Sequence, residues 1–271
     1  MSRIVLNEAE PDARADARAD AGPAAEQVQA AMLAALGAHT DEGGRVDYAR
    51  LAVSGQFAAA ELAARALAGV DLRAVDARPA RLAFWLNVYN ALALHGIVRL
   101  GVRTSVLRVW NFFGRVSYRV GGLVFSLDEV EHGVLRGNRR RKLPPLRPFG
   151  RSDPRLALAL TPPDPRYHCA ITCGAASCPP VGVYRADAVD AQLDLAARNF
   201  VNQEVALAGP RVLCSRIFKW YRADFEEAGG LAAFLLRYLD EGPARAALAA
   251  GASPCQGFRP YRWTLQHPPR P

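Results

Sequence analysis
The sequence predicts an α+β fold of mixed helices with a small antiparallel sheet, and three observations predict it. Apolar residues recur at helical spacing through most of the chain. A two-glycine turn at Gly121-Gly122 separates two short alternating runs, RVSYRV and LVFSL. The remaining strand-like pieces are few and short. With 271 residues, 51% of them hydrophobic, the chain suffices for one sizeable core.

The elements follow in order. Residues 1–23 carry a short Ala-Arg-Ala-Asp repeat with no apolar face, and read as a disordered tail. A helix is expected from Ala24 to Leu36, ended by Gly37. Val46-Asp47-Tyr48 reads as a short extended piece, and a second helix runs from about Phe57 to Leu67. The next helix starts near Pro79 and runs through RLAFWLNVYNALALHGIVRL to Gly101. It is apolar nearly all round and so is expected to be central and buried. Asn87 and Asn90 share a face of it and require partners, because an unpaired buried amide costs on the order of 1–3 kcal/mol. Asn87, Asn90, His95 and Arg99 also interrupt the apolar run, so it is not a membrane span.

The hairpin comes next. Ser126-Leu127-Asp128-Glu129 has capping-box form and opens a helix, SLDEVEHGVLRG. Leu127, Val130, Val134 and Leu135 mark its inward face, and Glu131 falls within that face. A basic loop covers residues 136–151, with four cations in a row from Arg139 to Lys142. It reads as a solvated loop or as a lid for an anionic ligand. Tyr167 to Thr172 is expected to be a strand leading into CGAASCPP. A helix over Ala186–Asn202, a strand at Arg211–Cys214, aromatic anchors from Ile217 to Phe225, a helix over Leu231–Leu239 and a last strand near Phe258–Trp263 complete the order.

The first residues lack the apolar region of a secretory signal, which implies a cytoplasmic location and mostly reduced cysteines among the five. The net charge of +8 is spread along the chain and is not interleaved with aromatic residues, so nucleic acid is not an expected partner. There is no P-loop and no G-x-G-x-x-G, so no nucleotide cofactor is called for. The expected partner is a small-molecule or peptide substrate.

Four segments, AFWLNVYNAL (Ala83 to Leu92), SLDEVEHGVLR (Ser126 to Arg136), CGAASCPP (Cys173 to Pro180) and FKWYRADF (Phe218 to Phe225), resemble in order and spacing the signature of the domain of unknown function 547 family. The resemblance spans roughly Val46 to Leu239. It implies one mixed helix-and-sheet domain over residues 24–271 and no established activity. It extends to a distant similarity with papain-like or transglutaminase-like cysteine enzymes. His132 precedes the cysteines, the reverse of papain's order, so a papain-like arrangement needs a circular permutation.

Apart from His168, the residues that could carry chemistry lie in these segments. Cys173 or Cys178 could be a nucleophile, with the amides of the surrounding turn forming a nest for an anion. His132 would be its base, and Glu131 an orienter or second acid. Asn87, Asn90 and His168 would orient or bind substrate. The opposing reading makes the same groups a buried polar network that only holds the core. His168, Cys169, Cys173 and Cys178 fall within eleven residues, yet there are no paired C-x-x-C knuckles, and no metal is assigned. His95 reads as a satisfied core histidine, and His39 and His267 as surface residues. The resulting expectation is a cysteine-dependent hydrolase or acyltransferase acting on an amide or thioester. The alternative is a non-catalytic protein- or peptide-binding scaffold.

Overall fold
A computed structural model describes residues 2–8, 20–141 and 145–265. Its helices are α1 (Ala21–Ala38), α2 (Tyr48–Ala52), α3 (Gly55–Ala66), α4 (Arg78–Arg99), α5 (Phe112–Arg115), α6 (Val189–Glu204), α7 (Arg216–Trp220), α8 (Arg222–Glu227), α9 (Leu231–Tyr238) and α10 (Pro243–Ala249). The strands are β1 (Ile4–Val5), β2 (Val116–Val120), β3 (Leu123–Ser126), β4 (Ala206–Ala208), β5 (Arg211–Cys214) and β6 (Gly257–Phe258). The class is α+β, as expected. The sheet differs from expectation: two three-stranded sheets form, β1-β2-β3 and β4-β5-β6, each with one parallel and one antiparallel pairing.

Helix α4 is the centre. Every residue from Leu82 to Val98 except Leu94 is buried, and α1, α2, α6 and the β2 strand pack around it. Its two asparagines are fully paired. Asn87 exchanges two bonds with the backbone of Tyr184, at 2.7 and 2.9 Å. Asn90 donates to the Ala170 carbonyl and accepts from the Thr172 amide, both at 2.9 Å. His95, also on α4, is held by Tyr118 and Glu61, as a satisfied core histidine should be. These amides are therefore staples between α4 and the segments around the cysteines. Asn87 and Asn90, expected to orient substrate, are hydrogen-bonded through both ends of their amides to backbone groups.

The hairpin has the expected form. Ser117 pairs with Ser126 and Val120 with Leu123, and Gly121 and Gly122 take positive φ values of 55° and 81°, as a type I′ turn requires. The capping box closes in both directions. The Ser126 amide donates to Glu129 at 2.9 Å, and the Glu129 amide donates to the Ser126 hydroxyl at 3.3 Å. The turn that follows, Glu129–Leu135, is π-helical. Its wider winding shows in the Arg136 and Asn138 amides, which donate five residues back to Glu131 and Gly133, each at 2.8 Å. Gly133 lies so close to Phe149 that a Cβ there would come within 2.4 Å of the ring.

Three local expectations are corrected. Residues 2–8, read as tail, lie along β2. Asn7 donates to the Ala64 and Arg119 carbonyls and accepts from the Arg119 amide, and residues 9–19 of that tail lie outside the described residues. Tyr167 to Thr172 is not a strand. Pro165–Cys169 is a 3₁₀ turn, because Asp164 caps the Arg166 amide at 3.0 Å and Pro165 fits a first turn without losing a hydrogen bond. Cys214 and Cys255 form a disulfide that ties β5 to the segment before β6, leaving Cys169, Cys173 and Cys178 as thiols. His267 lies outside the described residues.

Two hydrophobic clusters result. The larger surrounds α4, and the smaller joins α6 to α7, α8, α9 and the β4-β5-β6 sheet. No helix among the described residues is long and apolar enough to cross a membrane.

Candidate active site
Between the two clusters lies a cavity of about 170 Å³. Glu131 and His132 reach it from the π-helical segment, His168 from the 3₁₀ turn, and Cys173 and Cys178 from the loop after it. Tyr89 of α4, Trp220 of α7 and Tyr221 just after it add aromatic walls, with Tyr261 and Trp263 from the C-terminal segment. Five residues expected at the site, from three separate segments, thus line one space. Asn87 and Asn90 stand behind it as staples.

The sulfur pair is the centre of the chemistry. The Cys173 and Cys178 sulfurs are 3.2 Å apart, and both residues are half-buried. Three polar groups converge on the Cys178 sulfur: the Cys173 amide donates to it at 3.3 Å, and the Cys173 thiol and the Tyr261 hydroxyl each share a hydrogen bond with it at 3.2 Å. The Cys173 hydrogen bond is the main cause that lowers the Cys178 thiol below its ordinary value; burial opposes it, and Tyr261 and the backbone add to it. The same sharing of one proton raises Cys173. Cys169 is fully buried, and burial raises it, so it is the inert thiol of the three.

The turn around these cysteines does not offer the expected open nest. Gly174 donates to the Thr172 hydroxyl, Ala176 to Thr264, Ser177 to Arg262 and Cys178 to Ala175. The amide of Cys173 serves the Cys178 sulfur. The anion this turn stabilises is therefore its own thiolate, and those amides are closed to a substrate oxygen.

The histidines also take other roles than expected. Among the described residues neither thiol is hydrogen-bonded to a histidine. Arg136 donates to His132 Nδ1 at 3.1 Å, so in the neutral ring the proton sits on Nε2. His132 then presents a donor to the cavity, where a base would need a lone pair. His168 donates from Nε2 to Asp224 at 2.8 Å and is stacked between Tyr167 and Tyr221, ring centroids 4.1 and 4.0 Å away. Burial lowers His168 below its ordinary value against the opposing pull of Asp224, so it stays neutral at neutral pH.

Glu131 accepts from Tyr221 at 2.6 Å and from Tyr89 at 3.3 Å. Burial alone would raise its carboxyl. His132, Tyr221, His168 and Arg136 outweigh burial and hold it below the ordinary value, so it is a paired carboxylate. Asp224 is the group that sequence reasoning missed. Its carboxylate accepts from Arg136 at 2.8 and 3.0 Å, Arg139 at 2.6 Å and His168 at 2.8 Å. These bonds hold it far below the ordinary carboxyl range despite burial. Arg136 also lies over the Tyr221 ring, 5.1 Å from its centroid. The usable signal lies in FKWYRADF, where the sequence reading takes Tyr221 as a core anchor and does not single out Asp224.

The basic loop is not a free cationic lid. Arg139 also pairs with Glu227 and Arg141 with Asp128, while Lys142 lies outside the described residues. No cluster of three or more His, Cys, Asp or Glu arranged to hold a metal occurs among the described residues.

The profile of the family described as "Protein of unknown function, DUF547" matches residues 72–201. That span contains the segments around Asn87, Glu131 and Cys173, but ends before Tyr221 and Asp224. No curated protein and no solved structure matches the chain.

Proposed function
The chain belongs to this family of unknown function through residues 72–201, and on the geometry of its cavity we propose that it is a cysteine-dependent acyl-transfer enzyme. Cys178 is the nucleophile, and the acyl donor is a thioester. The observation that carries this reading is the convergence of an amide, a thiol and a hydroxyl on the Cys178 sulfur, inside a cavity shared with His132 and Glu131.

Each group has a role. The Cys178 thiolate attacks the carbonyl carbon. His132, whose Nδ1 is taken by Arg136, donates from Nε2 to the oxygen that becomes negative and so replaces the committed amides of the turn. A base is not needed, because the thiol is ionised by its own neighbours. A leaving thiolate needs no protonation, whereas a leaving amine does. Among the described residues, the S–H and N–H groups in contact with the Cys178 sulfur are already holding it, which favours a thioester over an amide. Glu131 fixes Tyr89 and Tyr221 as walls, and Asp224 fixes His168 and Arg136, through which it positions His132.

The test is alkylation by iodoacetamide, mapped residue by residue between pH 5 and 9, followed by acyl-thioester loading read by intact mass. The expected result is fast alkylation of Cys178 below pH 7, an acyl adduct on Cys178, and none in Cys178→Ser. Alkylation of Cys178 no faster than that of buried Cys169 would sink the proposal and leave the non-catalytic scaffold. Location also belongs to this proposal. The Cys214–Cys255 bond favours an oxidising compartment over the cytoplasm expected from the sequence.

A further inference from the structure
We propose that Cys173 and Cys178 are a two-electron dithiol centre that exchanges with small-molecule disulfides, so that the site has a reduced, reactive form and an oxidised, closed one. The inference rests on the reading that Cys178 is the reactive thiol of the cavity. Three observations carry it. The sulfurs are 3.2 Å apart, and a disulfide needs them at about 2.05 Å, an approach of little more than 1 Å. Both residues are half-buried in a cavity open to solvent, so a disulfide reagent can reach one sulfur while the second waits beside it. The chain between them folds back on itself: the Cys178 amide closes an Ala175–Cys178 turn on the Ala175 carbonyl at 2.8 Å, and Gly174, next to Cys173, has a positive φ of 79°. Cys169 is enclosed and Cys214 is already bonded to Cys255, so no other thiol among the described residues competes.

The chemistry balances without an outside electron acceptor beyond the disulfide itself. The Cys178 thiolate attacks one sulfur of a disulfide RSSR, the S–S bond breaks, and RS⁻ leaves to give a Cys178–SR mixed disulfide. The Cys173 thiol then loses its proton to the departing RS⁻ and its sulfur attacks Cys178 Sγ. A second RS⁻ leaves and the Cys173–Cys178 bond closes. The sum is two protein thiols plus RSSR giving one protein disulfide plus two RSH, counting the proton Cys178 had already released. The order follows from the site: Cys178 has the donors that favour its thiolate, and Cys173 is the thiol those donors leave protonated.

The experiment incubates the full chain in excess oxidised glutathione, then alkylates and maps the cysteines by mass spectrometry. The expected result is a Cys173–Cys178 disulfide reversed by dithiothreitol, with Cys214–Cys255 and the Cys169 thiol unchanged. Cys173→Ser should retain one glutathione on Cys178, and Cys178→Ser should hold none on Cys173. If either variant fails to fold, the wild-type map alone decides. Recovery of Cys173 and Cys178 both as free thiols overturns the inference. Fast alkylation of Cys178 with no disulfide would sink this inference and leave the acyl-transfer reading standing, while slow alkylation sinks both.

Discussion

Asp224→Asn is the substitution that most directly tests how the cavity is held. The side chain is nearly isosteric, so packing is kept and only charge and hydrogen-bond polarity change. Asp224 accepts four bonds from three partners, and one of its two oxygens becomes an NH₂ group facing donors. Arg136 cannot retreat to water, since its side chain is 10% exposed and that of Asp224 only 1%. Removing one partner of a buried ion pair costs about 3–5 kcal/mol. For a chain of this size that is a fall in Tm of roughly 6–10 °C. Arg139→Ala, which removes a more exposed partner also shared with Glu227, should cost about 1 kcal/mol or less. Urea unfolding of the three proteins measures both numbers. The imidazole resonances of His168 supply a second reading: with the carboxylate gone, the pull opposing burial is lost and His168 should titrate still lower. A variant within about 1 kcal/mol of wild type would refute the reasoning, because Arg136 would then not depend on Asp224.

Three further outcomes are expected. Gly133→Ala should destabilise by about 1–3 kcal/mol, since its Cβ would fall 2.4 Å from the Phe149 ring; an unchanged urea midpoint would show that Phe149 yields freely. Asn90→Ala strands the buried Thr172 amide, at about 1–3 kcal/mol, while the Ala170 carbonyl keeps its bond from the Tyr184 hydroxyl; it should also slow Cys178 alkylation by loosening the approach to Cys173, and an unaffected alkylation rate would separate the staple from the thiols. Stability should fall with pH in two stages. His95 and His168 are lowered mainly by burial, so the unfolded chain binds protons first and stability declines as pH drops below 6.5; Asp224 is depressed, so its share is intact above pH 3.8 and lost as pH falls towards its folded value. A flat unfolding free energy between pH 7 and 5 would contradict the neutral, buried state of both imidazoles.

Much of the frame was legible because it is local. Helical periodicity marked α4, glycine chemistry marked the hairpin, and the spacing of Ser126 and Glu129 marked the capping box. The convergence of Glu131, His132, His168, Cys173 and Cys178 was legible only through the family resemblance, since spacing along the chain cannot state that distant segments meet. What was missed is non-local or short. Asp224 binds Arg136 from 88 residues away, Tyr261 reaches Cys178 from 83 away, and β1 is two residues long. The 3₁₀ turn at Pro165 was missed for a local reason: the Asp-Pro start signal was outweighed by the apolar run after it. The roles of His132 and of the turn amides depended on which hydrogen bonds were already taken, and no sequence pattern states that.

The position of the cavity between two hydrophobic clusters bears on how the protein breathes. Tyr89 belongs to the cluster around α4, while Trp220 and Tyr221 pack against the smaller one. Among the contacts between them the Arg136–Asp224 pair acts as a latch. Opening free energies differ between cooperative units of one fold. Amide hydrogen exchange should therefore be fastest on the α7–α8 side of the cavity and slowest along α4. The thiol pair, tied to α4 through Asn90, would stay ordered while its aromatic wall swings, so the site would admit a ligand by loosening the side that holds no nucleophile.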